Sequence, residues 1–295
     1  MNPDKGSFLE LVYEARIKDL VKGTDDQHFE ASGVSLKDGY LHIIFDDLPS
    51  LLRIRPDWRY IAEEPALIHL KGTGSGYEDI TFQSSTGHWF CLIEGVKTGE
   101  DTYLPRIDEF DKSFSFIRSC WLNFPIRTGN KGFEGLSFMH HGGGEYLLCL
   151  CEGNDCKGGE KGAKPGKGRI QVFQQSAEQW EHGCTIKLPK AVRYRDYVSL
   201  ALHNGSLTVL SQASSALWTG HIRSDGGEWD DLFEDDGQTY LFPRDEKGRS
   251  IYCNLEGVAW LGNGRLVVVS DKAKHDQPGR CTRKDQSIHI FTLPD

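Results

Sequence analysis

The 295-residue chain is short of several things, and each shortage excludes something. No apolar run approaches the roughly 20 residues that a membrane-spanning helix needs. The opening stretch MNPDKGSFLELVYEARIKDL has no basic region followed by an apolar core, so no signal peptide is expected there. Basic residues are outnumbered, 34 Lys and Arg against 43 Asp and Glu, and the net charge of −9 leaves no broad surface to neutralise nucleic-acid phosphates. There is no G-x-x-x-x-G-K-S/T phosphate loop and no G-x-S-x-G nucleophile elbow. Among the eight cysteines, Cys149, Cys151 and Cys156 lack the paired C-x-x-C or Cys/His spacing of a zinc site. With no secretion signal, the cysteines are expected to be reduced thiols of a cytoplasmic protein.

What the chain has is turns and β-formers: 33 glycines, 15 Phe, 7 Trp, and no long helical periodicity. One hairpin sets the pattern. NLEGVAWLGNGRLVVVSDK, residues 254–272, has Asn263-Gly264 at its centre, the signature of a two-residue type I′ turn. Uniform pairing from that turn places Glu256 opposite Asp271. GFEGLSFMHHGGGEYLLCLCEGND (132–155) places Glu134 opposite Glu152 in the same way, and GYEDITFQSSTGHWFCLIEG (76–95) places Glu78 opposite Glu94. Weaker copies at 31–47 and 196–214 align Ser32 and Tyr197 with Glu256, and Asp46 and Gln212 with Asp271.

The five key positions, 32, 78, 134, 197 and 256, are separated by 46, 56, 63 and 59 residues, a repeat-protein spacing. A third short strand follows every hairpin and a fourth follows most of them. Four strands per repeat make a β-propeller blade, so the expected fold is an all-β, five-bladed propeller forming one domain over residues 1–295. The last repeat ends before its fourth strand. Residues 8–17, FLELVYEARI, are expected to supply it and close the ring. A sixth blade hidden in residues 223–253 and a β-sandwich are the alternatives.

In a propeller the first strand of each blade lines the channel, and the second runs back beside it. Glu78, Glu134 and Glu256 then share one mouth with Asp46, Glu94, Glu152 and Asp271. So many carboxylates must hold protons, pair with bases, or hold a cation. Oxygen ligands of this kind suit Ca²⁺, Mg²⁺ or Mn²⁺, with Glu78, Glu134, Glu152, Glu256 and Asp271 as candidate ligands. The bland alternative is that each carboxylate accepts hydrogen bonds from neighbouring backbone. Two glycine-containing basic loops rise from the same face, 153–169 and 272–285, each with five bases against two acids. Lys157, Lys272 and Arg280 of these loops, with Tyr197, are candidate anion-binding residues. His275 is a candidate acid/base beside Glu134 and Glu256. His140 and His141 fall at a turn, away from the carboxylates, and EWDDLFEDDG (228–237) reads as a solvated acidic run.

The recurring Glu/Ser-Gly-apolar, turn, apolar strand, acid pattern of NLEGVAWLGNGRLVVVSDK, GFEGLSFMHHGGGEYLLCLCEGN and SGVSLKDGYLHIIFDDLPSLLRI resembles the SdiA-regulated and esterase-like phytase propellers. It is also similar to the gluconolactonase and regucalcin-type propellers and to the calcium-activated nucleotidases. The resemblance implies a propeller with a divalent cation in its channel, with the metal Glu falling on Glu256 or Glu134 and an acidic partner on Asp271 or Glu152. The channel asparagines of the gluconolactonase type are not evident here, Asn154 excepted. The expectation is a monomeric, cation-dependent hydrolase, or a related lyase or isomerase, acting on a small anionic ester, lactone or phosphoester. The competing expectation is a non-enzymatic scaffold with a structural cation.

Overall fold

A computed structural model describes residues 7–22, 27–58, 64–73, 76–126, 131–177, 179–224 and 227–294. After β1 (Ser7–Phe8) and β2 (Glu10–Arg16), strands follow in groups of four. Blade one comprises β3 (Ala31–Lys37), β4 (Tyr40–Phe45), β5 (Ser50–Ile54) and β6 (Ala66–His69). Blade two comprises β7 (Tyr77–Gln83), β8 (His88–Lys97), β9 (Tyr103–Phe110) and β10 (Phe116–Asn123). Blade three comprises β11 (Phe133–His141), β12 (Gly144–Cys151), β13 (Arg169–Gln175) and β14 (Trp180–Lys187). Blade four comprises β15 (Ser199–His203), β16 (Ser206–Ser211), β17 (Ala216–His221) and β18 (Gln238–Leu241). Blade five comprises β19 (Leu255–Gly262), β20 (Arg265–Ser270) and β21 (Ser287–Thr292).

The fourth strand of blade five is β2, antiparallel to β21, so the N-terminal segment closes the ring as the sequence predicts. The first strands touch in cyclic order, β3 to β7 to β11 to β15 to β19 and back to β3. Each of the five apolar clusters is shared by two neighbouring blades; Leu150, Ile170 and Val172 of blade three, for example, pack on Leu200, Val209 and Trp218 of blade four. Both faces of every blade are thus buried, and burial at about 25 cal/mol per Å² of apolar surface holds the ring together. Residues 223–253 contribute β18, a short 3₁₀ turn at Trp229–Asp231 and isolated bridges, not a further four-stranded unit among the described residues. Two joints were not legible in advance. β1 pairs in parallel with β18, and the outer strands β10 and β14 pair in parallel through Leu122–Trp180 and Asn123–Glu181.

The hairpin register departs from the expected one for a single recurring reason. Asn263 and Gly264 do form the turn, both with positive φ, and Gly262 faces Arg265. The pairing then slips, so that Leu255 faces Ser270, Gly257 faces Val269, and Glu256 faces nothing. The same interruption falls at Ser32, between Tyr77 and Ile80, and at Glu134. Glu256 is therefore not opposite Asp271, nor Glu134 opposite Glu152, nor Glu78 opposite Glu94. Each is an extra residue in a β-bulge, the device by which a strand re-aims one side chain.

The glycine after the bulge has a packing reason. A Cβ on Gly33 would lie 2.7 Å from the Asp79 Cα, and one on Gly257 would lie 3.0 Å from the backbone of Gly33. The Glu/Ser-Gly motif thus couples an in-turned side chain to the closest approach of neighbouring first strands.

The expectation of eight reduced thiols is corrected. Cys151 is bonded to Cys156 and Cys253 to Cys281, while Cys91, Cys120, Cys149 and Cys184 are free. Both bonds tie a basic loop to the root of a carboxylate-bearing strand, a juxtaposition that exists only once the hairpins are folded. No described helix is long and apolar enough to cross a membrane.

Candidate functional site: the acidic mouth

The bulges of β7, β11 and β19 turn Glu78, Glu134 and Glu256 toward the channel, while Glu94 lies in the second half of β8 and Glu152 and Asp271 sit just past the ends of β12 and β20. These side chains reach the channel opening but lie within the body of the ring. Glu94, Glu134 and Glu152 each offer an oxygen within 4.8 Å of the other two, a spacing that a single cation can bridge. Glu78 is hydrogen-bonded through its side chain to Glu134. Glu256 and Asp271 complete the group from blade five.

Burial and mutual repulsion raise the pKa values throughout. Glu134 and Glu256 are pushed well above the carboxylate range, by burial first and then by the neighbouring acids. Glu78 behaves likewise. Glu94 is pushed up to about 7 by burial, although the Gly132 N–H donates to its Oε1 at 2.7 Å. Asp271 is pushed up to about 7 by burial and by Glu30, Asp46 and Asp47. Asp46 is raised by burial and by Glu30 and Asp47.

Counter-charge is local and sparse. The Lys131 ammonium donates to Glu152 Oε1, and the charge of Lys274 also bears on Glu152. Glu152 Oε2, buried in the same place, has no hydrogen-bond partner among the described residues. The Gln212 amide donates to Glu256 Oε1 at 2.5 Å, which gives the departure from an acid at position 212 a use.

Next to Glu78 on β7, Asp79 ties neighbouring first strands together. It is 2% exposed and accepts hydrogen bonds from the Ile80 N–H (2.9 Å) and from the Leu136 N–H of blade three (2.8 Å), and the Ser199 hydroxyl of blade four favours its charged form. Ser199 Oγ accepts in turn from the Val258 N–H of blade five at 3.2 Å. An axial cavity of about 320 Å³ among the first strands is lined mainly by apolar residues such as Leu36, Phe138 and Leu202, with none of the mouth carboxylates.

The remaining sequence candidates are dispersed. Tyr197 is fully buried, and its hydroxyl donates to Asn154 Oδ1 at 2.9 Å. Asn154 organises the loop after β12, donating to the Gly162 and Tyr194 carbonyls. Lys157 lies 3.5 Å from Asp155, which also gathers Lys167 and Arg169. Lys272 is 3.5 Å from Glu30, and the Arg280 guanidinium donates to the Ser250 carbonyl at 3.0 Å. His275 is exposed on its loop.

Three participants escaped the sequence reading. Lys131 lies just before a hairpin rather than in a basic loop. Asp79 was masked by Glu78 beside it. Asp196, whose charge bears on Glu256 and Glu152, is one residue from Tyr197, which carried the repeat alignment.

No family model and no curated protein matches the chain. Solved structures do, at the level of fold. Glutaminyl cyclase from Myxococcus xanthus aligns with a TM-score of 0.50 and 10% identity, covering 98% of each chain. The PQQ-bound aldose sugar dehydrogenase of Streptomyces coelicolor gives 0.49 at 12% identity over 95% of this chain and 98% of that one. A glucose dehydrogenase-like oxidoreductase of Thermus thermophilus gives 0.48 at 11% identity, over 95% and 99%. At these identities the likeness is one of β-propeller fold alone.

Proposed function

We propose that the acidic mouth holds one divalent cation, Ca²⁺, Mg²⁺ or Mn²⁺, and acts on a small anionic ester, lactone or phosphoester by hydrolysis or a related elimination or isomerisation. The observation that carries this reading is the convergence of Glu94, Glu134 and Glu152 within 4.8 Å, one of them with a buried oxygen that has no hydrogen-bond partner among the described residues. Hard oxygen donors in a partly shielded site fit these ions and no softer metal. Such a cation, when bound, polarises a carbonyl or phosphoryl oxygen or acidifies a bound water.

The chain's own groups have complementary tasks. Glu94, Glu134 and Glu152 hold the ion. Lys131, and Lys274 from the loop of blade five, supply the positive charge that orients an anion at the rim. Glu78 backs Glu134 from the neighbouring blade. Glu256, held by Gln212, is the candidate general base, because burial and the neighbouring acids raise its proton affinity above that of an ordinary carboxylate. Asp79 and Ser199 tie the first strands of blades two to five together next to these groups.

Elemental analysis after chelator treatment and re-addition of each ion should find about one tightly held divalent ion per chain. A panel of 4-nitrophenyl acetate, 4-nitrophenyl phosphate and a simple lactone should show turnover with that ion and none after chelation. Protein that binds no divalent ion at neutral pH would refute the reading. An ion bound tightly with no turnover on any of the panel would favour a scaffold with a structural cation.

A further inference from the structure

At the turn end of the ring, away from the carboxylates, a cleft of about 960 Å³ opens between blades one and two. Its floor is aromatic. Trp89 and Phe114 stack with centroids 5.2 Å apart, and the His42 ring lies 4.4 Å from Trp89. All three are at least nine-tenths buried. Tyr40, Phe82, Lys37 and Lys112 form part of the rim.

Two side chains in this cleft are provided for but unused. His42 and Arg53 face each other across β4 and β5, so their side chains stand together on one face. The Arg53 guanidinium is laid over the Tyr40 ring at 4.0 Å and makes no hydrogen bond or ion pair among the described residues. His42 Nδ1 is buried and has no hydrogen-bond partner among the described residues, although the Tyr40 and Ser35 backbone bears on the ring. Burial and Arg53 push the imidazole down to about 4, so it is neutral at physiological pH.

The cleft's acids offer Arg53 nothing. Asp38 pairs with Lys37 at 3.3 Å, and Asp111 Oδ1 accepts from Ser113 and Ser115 in its own turn. His88 is taken by Glu109 at 2.7 Å. A stacked, pre-oriented arginine beside a buried imidazole is the donor pair for a planar carboxylate or a phosphate, and the surrounding rings suit a flat apolar body.

We propose that this cleft is a binding site, separate from the acidic mouth, for a small planar anion. Its carboxylate or phosphate is held by Arg53 and His42, and its ring lies against the aromatic wall between blades one and two. Because the two sites occupy opposite ends of the hairpins, this proposal stands whether or not the mouth holds a cation.

The test is calorimetric titration of the whole chain, in the presence of chelator, with benzoate, AMP, adenosine and inorganic phosphate. Benzoate or AMP should bind, which of the two identifying the headgroup. Adenosine and inorganic phosphate should each bind at least about tenfold more weakly, for want of charge and of a ring respectively. Arg53→Gln, at a half-buried rim position, should weaken the bound anion at least about tenfold with an unchanged melting temperature. In the unmodified protein the affinity should fall as salt rises from 0.05 to 0.5 M, roughly a threefold shortening of the screening length. Failure of both benzoate and AMP to bind at millimolar concentration, adenosine binding as well as AMP, or salt-independent binding would overturn the proposal.

Discussion

Glu78 and Glu134, carried by bulges on the first strands of neighbouring blades, are hydrogen-bonded side chain to side chain. Two carboxyl groups can make that bond only by sharing a proton, and burial with the surrounding acids raises both well above the ordinary carboxylate range.

A pH dependence follows. Glu94 and Asp271 titrate near 7 in the folded chain, against ordinary values of 4.5 and 3.8. Between those limits the folded chain binds more protons than the unfolded one, so its stability falls as pH rises. Below about pH 4 both states are protonated and no penalty remains. Without divalent ions, the melting temperature should drop from pH 5 to pH 8, and saturating cation should abolish most of the drop. Cation binding at pH 6.5 should release protons, seen as a binding heat that changes with the buffer's ionisation enthalpy. A flat stability profile would show that the cluster is not strained by its own charge.

Removing one carboxylate separates function from stability. Glu134→Gln eliminates a buried, repelled acid, and it should raise the cation-free melting temperature at pH 8 by a few degrees. The same change should weaken cation binding at least about tenfold, because one of three converging oxygens becomes a neutral amide. Binding unaffected by Glu134→Gln and by Glu152→Gln would move the ion elsewhere.

The fold was legible because it repeats. A Glu/Ser-Gly, turn and acid pattern recurring five times gives the blades, and the orphan run at 8–17 gives the closure. The side-chain register was not legible. Bulges at Ser32, Glu134 and Glu256 arise from inter-blade packing, where Gly33 and Gly257 press against neighbouring backbones, and pairing rules within one hairpin do not contain that constraint. Glu134, Glu152 and Glu256 could be found because acids at homologous positions stand out. Lys131 and Asp196 could not, because no other repeat carries an acid or a base at the matching position.

Ring closure should be acid-sensitive in the opposite sense. Glu14 of β2 accepts from Lys284 and lies 3.1 Å from Nδ1 of the buried His289 on β21. The His289 contact is the largest cause holding its pKa down at about 2, against an ordinary 4.5. The stabilisation is therefore complete above the unfolded value and lost as pH falls from 4.5 towards 2. Glu14→Gln should lower the melting temperature at pH 7 and flatten the acid limb of the stability profile. An unchanged acid limb would show that the N-terminal strand is held by its backbone pairing alone.

Close approach of first strands should make the motif glycine irreplaceable by even one methyl. Gly257→Ala would place a Cβ 2.8 Å from the Val269 side chain and 3.0 Å from the Gly33 backbone. The expected cost is about 1–3 kcal/mol, several degrees in melting temperature. Gly264→Ala would place its Cβ in open space and be strained only through its positive φ. It is the control for a crowding effect, and its far-ultraviolet spectrum should match the unmodified chain. Equal crowding-free behaviour of Gly257→Ala, with no loss of stability, would contradict the packing account.

The two disulfides tie the basic loops to the carboxylate strands, and their removal should be felt at the mouth before it is felt in the core. In denaturant, thiol titration should find four reactive groups without reductant and eight with it. The Cys253–Cys281 bond spans 28 residues, a loop whose closure is worth about 3–4 kcal/mol on a chain-entropy view. Cys281 lies in the loop that carries Lys274, and Cys253 lies three residues before Glu256. Cys253→Ser with Cys281→Ser should therefore open residues 272–285 to limited proteolysis and lower the melting temperature by several degrees. Because Lys274 bears on Glu152, the freed loop should also change the affinity of the mouth for cation. Eight reactive thiols without reductant would show that the bonds do not form in the isolated protein. A proteolysis pattern identical to that of the unmodified chain would show that the loop is held by contacts such as the Arg280–Ser250 hydrogen bond instead.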